Sequence, residues 1–169
     1  GNLNKNWNIA GIPNGGYLLA VVLRAMQEQV GIKTLLSVNA HYLRPGVSGE
    51  EGRVESLILR EGSSISTSIA SLIQRGKTSM QVVAAFGELK KPANAFPRIQ
   101  IEPPFMPPPE ECAKRSAENQ GVELSIQKRV DVRVAGMESD SDTSDLYGWI
   151  KFSDSAPVDS LGLALFSDA

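Results

Sequence analysis

The polarity of the chain changes period along its length. Between residues 15 and 30, apolar side chains recur at helical spacing on two stripes: Leu18, Val22, Ala25 and Met26, and Leu19, Leu23, Met26 and Val30. Only Arg24, Gln27, Glu28 and Gln29 break the ring, all in its second half. A helix that is apolar nearly all round is buried rather than laid on a surface, and Gly31 suits a stop. From residue 34 the period falls to two. Leu36, Val38, Ala40 and Tyr42 alternate with Ser37, Asn39 and His41 across 34–43. Residues 50–60, 64–74 and 77–88 repeat this pattern, joined by "EGS" and "RG". Ile65, Ile69 and Ile73 mark one face of the second of these runs, and Met80, Val82, Ala84 and Phe86 one face of the third. Glycine in short connections between alternating runs is a hairpin signal. The expectation is a buried helix followed by four consecutive strands in an antiparallel meander.

A helix buried all round needs something wrapped around it. A strongly curved antiparallel sheet does this, whereas a flat two-layer sandwich leaves one side of the helix wet. The expected class is α+β, in the architecture called a hotdog fold.

The pattern breaks across 89–124, where seven of the ten prolines lie between Pro92 and Pro109. That composition reads as an extended linker. Alternation returns in 125–134, with Ile126, Val130, Val132 and Val134 against Gln127, Arg129, Asp131 and Arg133. "LYGWIKF" (146–152) reads as another strand. Residues 158–169 turn helical, with Asp159 or Ser160 as N-cap. Before the linker the order is a strand end ("NWNIA"), an apolar helix and four strands. After it the order is two strands and the start of an apolar helix. These fit one module used twice: 1–90 lacking its N-terminal strand, a linker over 91–124, and the start of a second module over 125–169. The helices align without gaps, "YLLAVVLRA" (17–25) on "LGLALFSDA" (161–169), which sets Arg24 at the position of Asp168. The repeated order of elements carries this reading more than the low identity does. With Gly rather than Met first and an apolar pattern running to the last residue, the sequence reads as an internal portion of a longer chain.

Charge and composition narrow the chemistry. The 169 residues suit one ordinary domain by length, with a core that needs no staples. Seventeen basic and 19 acidic side chains leave a net charge of −2, which offers no global attraction to nucleic acid or an anionic membrane. Cys112 is the only cysteine, so no internal disulfide forms and a reducing, cytoplasmic compartment is the default. The longest apolar run, Tyr17 to Leu23, is too short to span a bilayer. Peroxisomal targeting is read only from a natural C-terminus.

Most motif matches fail on spacing. "SLIQRGKTS" (71–79) ends like a phosphate-binding loop, but Ser71 stands where its first glycine belongs, between two strands. "ESDSDTSD" (138–145) begins like a calcium loop, yet Asp145 and Lys151 occupy its glycine and glutamate positions. His41 is the only histidine, so any triad or histidine metal cluster must pass through it, and no metal-ligand spacing surrounds it. It shares a polar strand face with Ser37 and Asn39, as a half-exposed strand residue or as the lining of a substrate groove.

"GIPNGGYLL" raises a sharper question, because weak helix formers lead straight into the most apolar helix. Gly15 and Gly16 permit a tight entry and close packing. They also leave N–H groups at a helix N-terminus, where the dipole favours negative charge and can stabilise an oxyanion. Asp168 ends a second apolar run. An acidic residue in a buried helix is costly unless paired or used, and burial suits it to general-base work. Its plain alternative is exposure to solvent.

Several stretches together resemble the acyl-CoA thioesterase II family, the double-hotdog thioesterase-like proteins. They are "NWNIAGIPNGGYLLAVVLRA" (6–25), "SVNAHYLRPG" (37–46), "LREGSSISTSIASLIQRGK" (59–77), "AAFGEL" (84–89), "PPFMPPPEEC" (103–112) and "LALFSDA" (163–169). "HYLRPG" and "LREGSSIST" are the most specific. The resemblance implies two hotdog modules in one chain, hydrolysis of acyl-CoA to a carboxylic acid and CoA, no metal or redox cofactor, and homo-oligomers formed through hotdog modules. It implies a catalytic aspartate in a Ser-Asp context on the second central helix, here Asp168, activating water. The family's partner Thr or Ser and Gln lie beyond this sequence. By weaker analogy with hotdog enzymes, Gly15 and Gly16 approach the thioester or CoA, and Tyr17, His41 and Arg44 line the groove. Their structural alternatives are Tyr17 in the core and Arg44 fixing the turn before Pro45. Two other functions stay open: a non-catalytic acyl- or CoA-binding protein, and an enoyl-CoA hydratase or dehydratase working through His41.

Overall fold

The computed structural model describes residues 1–31, 33–88, 102, 105–135 and 147–168. A 3₁₀ turn (Lys5–Trp7) leads into a short hairpin, β1 (Asn8–Ile9) and β2 (Ile12–Pro13). Helix α1 (Gly15–Gln29) follows, then strands β3 (Thr34–Tyr42), β4 (Arg53–Arg60), β5 (Ile65–Gln74) and β6 (Lys77–Gly87). The second half holds β7 (Ala113–Lys114), a one-turn helix α2 (Ala117–Gln120), β8 (Val130–Ala135), β9 (Tyr147–Phe152) and α3 (Ser160–Phe166).

The four strands after α1 form one antiparallel sheet in the order β3-β6-β5-β4. The expected meander holds for β4 to β6 but not for β3, which pairs with β6 at the far edge. Tight links make the difference. Arg75 and Gly76, both at positive φ, turn β5 into β6 in two residues, whereas residues 43–52 carry the chain across the sheet from one edge to the other. Of the Gly-Lys-Thr sequence, Gly76 lies in this turn and Lys77 and Thr78 open β6, so it joins two strands rather than a strand and a helix.

Helix α1 packs on all four strands. Val22, Leu23 and Met26 are fully buried, as are Met80, Val82 and Phe86 on β6. On β5 the isoleucines face away from the helix. Ser66, Ser68, Ala70 and Leu72 face inward and are fully or almost fully buried. Small side chains there let the sheet come close beneath α1. Their hydroxyls are satisfied, Ser68 donating to the Leu57 carbonyl and Ser66 accepting from Lys33 Nζ at 2.9 Å.

The sheet alone does not enclose α1. Its remaining side is covered by α3, the strongest helix–helix packing in the molecule. The two run antiparallel: Gly16 at the start of α1 meets Leu165 near the end of α3, and Arg24 lies 3.8 Å from Asp159, the N-cap of α3. Leu161 and Ala164 join the α1 core, while Leu165 and Phe166 pack on Val130, Val132, Ile150 and Phe152 of the second sheet, ordered β7-β8-β9.

Two segments differ from expectation. The end of the presumed linker is structured, since Ala113 and Lys114 pair with Val134 and Arg133. Residues 125–128 form a 3₁₀ turn, so β8 starts only at Val130. Most of the proline-rich segment (89–101, 103 and 104) and the acidic loop 138–145 lie outside the described residues.

Candidate functional site

The site forms where α1 begins and α3 ends. Asn14 is the N-cap of α1, and its Oδ1 accepts the Tyr17 N–H at 2.8 Å. Its Nδ2 donates the other way, to the backbone carbonyl of Asp168 and to Asp168 Oδ2 at 3.1 Å. The same Oδ2 accepts the Gly16 N–H at 3.0 Å. A carboxylate from one helix end therefore occupies the positive end of the other helix, where the first N–H groups lack partners of their own.

Both glycines are there because of this approach. A Cβ on Gly16 would stand 2.1 Å from the Leu165 carbonyl oxygen. A Cβ on Gly15 would stand 2.6 Å from Asp168 Oδ2 and 2.9 Å from the Tyr42 ring. The conformational reading of Gly-Gly is thus correct, and the close partner is a second helix as well as the sheet.

Asp168 lies just past Ser167, the C-cap of α3, and is exposed, which is the second of its two expected placements rather than the buried one. Tyr42, at the end of β3, donates its hydroxyl to the Gly15 carbonyl at 3.2 Å. Burial pushes the Tyr42 phenol above the usual tyrosine value, and the Asp168 carboxylate adds to the rise.

Two open hollows meet over this junction. One, of about 410 Å³, is lined by Ile9, Ile12, Pro13, Asn14, Gly15, Arg115 and Asp168. The other, of about 340 Å³, shares Ile12, Pro13 and Gly15, and adds Leu18, Tyr42 and the 43–46 turn. The β1–β2 hairpin forms their common wall. It is tied to the second half by the Ala10 N–H, which donates to the Glu123 carbonyl at 2.7 Å, and by a bridge between Ile9 and Leu124.

The other expected site residues divide. Gly15 and Gly16 touch Asp168, but the Gly16 N–H is spent on the carboxylate rather than left open. Arg44 lines the second hollow, yet its Nη1 donates to the Thr78 carbonyl at 2.6 Å and its backbone N–H to Ser79, so it fixes the turn. Tyr17 lines neither hollow: it stacks on Trp7 at 5.3 Å, and its hydroxyl accepts the Asn4 N–H. His41 is exposed and lies between Ala40 and Tyr42, which both face α1, so alternation turns it to the opposite face of the sheet. Arg24 and Asp168, equivalent in the aligned helices, are apart in space because the helices are antiparallel.

Sequence reasoning missed three polar lining residues. Asn14 carried a signal, as an N-cap residue directly before the helix. Tyr42 carried another, sharing the helix-facing parity of Ala40. Arg115 carried none, because it sits in the stretch read as linker. Among the described residues, no cluster of three or more His, Cys, Asp or Glu side chains could hold a metal. No described helix is long and apolar enough to cross a membrane.

A long helix packed on an antiparallel sheet, with an acid from a second helix seated at its N-terminus, is the architecture of a hotdog fold. Comparison with known proteins agrees. A family model for the acyl-CoA thioesterase N-terminal domain matches residues 3–87, half of the chain, and the chain belongs to that family. A provisionally named thioesterase II from Thermobifida fusca superposes with a TM-score of 0.83 at 25% identity, over 99% of this chain and 64% of that one. A hot dog fold protein of unknown function from Alicyclobacillus acidocaldarius gives 0.83 at 20% identity, over 99% and 62%. The acyl-CoA thioesterase II TesB2 of Mycobacterium marinum gives 0.70 at 20% identity, over 99% and 61%. The chain thus spans less than two thirds of these solved relatives. No curated protein matches it.

Proposed function

We propose that this chain carries the acid-bearing part of an acyl-CoA thioesterase, with Asp168 as the catalytic carboxylate. The observation that carries this reading is the seating of Asp168 at the α1 N-terminus, on the edge of the cleft. In the proposed reaction a water positioned by Asp168 attacks the thioester carbonyl and gives up a proton to the carboxylate. A C–O bond forms, the C–S bond breaks, and the proton returns to the departing thiolate, leaving a carboxylic acid and CoA. Charge that develops on the carbonyl oxygen falls near the positive end of α1. The Gly15 N–H has no hydrogen-bond partner among the described residues, which suits it to that oxygen. The hollow lined by Leu18, Tyr42, Leu43 and Pro45 is the more apolar of the two and suits an acyl chain.

A hydratase acting through His41 fits poorly, because that ring faces away from Asp168. A non-catalytic acyl-CoA-binding protein uses the same cleft and is separated by turnover. The test is CoA release from short-, medium- and long-chain acyl-CoAs by the full-length protein beside Asp168→Asn. A fall of about 10²–10⁴-fold in kcat with the fold intact is expected. Equal release by both proteins would move the acid elsewhere, and binding without release would make this a binding protein.

A further inference from the structure

The cleft holds a cation that the reaction above does not use. Arg115 lines the same hollow as Asp168 and is half-buried. Its backbone is fixed on both sides: the N–H donates to the Val132 carbonyl at 2.9 Å, and its carbonyl accepts from Gln127 Nε2. Its guanidinium, by contrast, has no hydrogen-bond or ion-pair partner among the described residues, and no ion pair joins it to Asp168. Apart from the Gly15 N–H, its polar neighbours at the junction are paired. Asn14 uses both ends of its amide, Gly16 and Tyr17 give up their N–H groups, and Arg44 is held by Thr78. A guanidinium offers five N–H donors in a fixed fork matched to carboxylate and phosphate. Here it is carried on a pinned backbone beside a hollow walled by Ile9, Ile12 and Pro13 on one part and by Asn14, Gly15 and Asp168 on the other.

We propose that Arg115 is an anion-recognition residue of this cleft, binding a negatively charged group on the same substrate whose thioester lies at Asp168. The inference rests on the thioester reading above. Two parts of such a substrate supply the anion: a carboxylate at the far end of the acyl group, or a phosphate of the CoA carrier. Either one would form a charge-assisted pair with the guanidinium and fix the direction in which the thioester lies across the glycines.

The test measures binding, so it is independent of turnover. Isothermal titration of the full-length protein, Arg115→Gln and Arg115→Lys uses three unreactive thioether probes. These are a neutral acyl group on CoA, the same group ending in a carboxylate on CoA, and the neutral acyl group on pantetheine, which lacks the phosphates. Arg115→Gln is expected to weaken at least one anion-bearing probe by about tenfold or more. The pantetheine probe should change less than twofold, and Arg115→Lys should recover part of the loss. Loss confined to the carboxylate-ended probe identifies an acyl carboxylate. Loss on both CoA probes identifies a carrier phosphate. Equal weakening of all three probes, or of none, would overturn the proposal. Anion-selective binding through Arg115 in a protein that releases no CoA would overturn the hydrolysis reading alone. Normal CoA release with all three affinities unchanged in Arg115→Gln would overturn this inference alone.

Discussion

Asp168 Oδ2 accepts the Gly16 N–H at 3.0 Å, although the two residues lie 152 positions apart in the chain. This contact joins the first half of the chain to the second at the mouth of the cleft. It also settles what the two glycines do, and the two should respond differently to the same substitution.

In Gly16→Ala the new methyl meets the backbone carbonyl of Leu165, which cannot rotate away, so α1 and α3 must separate. Overpacking of this kind costs roughly 1–3 kcal/mol, which urea unfolding would register as a lower midpoint. In Gly15→Ala the methyl meets the ends of the Asp168 and Tyr42 side chains, which have room to move. A smaller stability loss with a larger loss of turnover is expected. Equal stability losses in both variants would refute the distinction.

Asn14 both caps α1 and holds Asp168. Asn14→Ala removes both roles and should cost about 1–2 kcal/mol by chemical denaturation. Asn14→Asp keeps a capping oxygen but faces the Asp168 carboxylate with a like charge. It should retain more of the helix than the alanine variant while turnover falls as far. Circular dichroism and CoA release, measured side by side, would separate the two roles.

Tyr42 links the site to alkaline pH. Its phenol titrates above the ordinary value of about 10, first through burial and second through Asp168. The folded state therefore keeps a proton that the unfolded state has lost. The resulting stability is fully present below pH ~10 and is lost as pH rises through the folded value. Tyr42→Phe should flatten that decline in denaturation curves above pH ~10. Asp168→Asn should bring the Tyr42 transition down, read from phenolate absorbance with Tyr42→Phe as the assignment control. A transition unmoved by Asp168→Asn would mean that the two groups do not interact.

At the other end of the helix pair, Arg24 and Asp159 form an exposed ion pair at 3.8 Å. Asp159 also accepts the Gly162 N–H at 2.8 Å as the N-cap of α3. Arg24→Ala should cost about 0–1 kcal/mol and lose its effect in high salt. Asp159→Ala should cost about 1 kcal/mol more, because it removes the cap as well. Asp159→Asn should behave like Arg24→Ala in thermal unfolding, since asparagine caps as well as aspartate.

How much of this was legible in the chain follows from the range of the forces involved. Local periodicity identified α1, β3 to β6, β9 and α3 to within a few residues, because burial on one face imposes the period of each element on its own residues. The Asp159 cap and the Arg75-Gly76 turn were readable for the same reason: their donors, acceptors and backbone angles lie within a few positions. The family resemblance further marked Asp168 and the two glycines. Tertiary structure alone decided how these pieces meet. Alternation gives the faces of a strand but not its neighbour, so β3 could pair with β6 without any change in its pattern. It also does not say which face meets a helix, and on β5 the small residues rather than the isoleucines lie under α1. Aligned helices share positions in sequence, yet their antiparallel packing sends Arg24 to Asp159 and brings Asp168 to Gly16. Arg115 enters the cleft only because Ala113 and Lys114 join β8, a pairing two residues long that leaves no periodic trace. Contacts between distant segments depend on shape and on summed packing, and no window of neighbouring residues contains them.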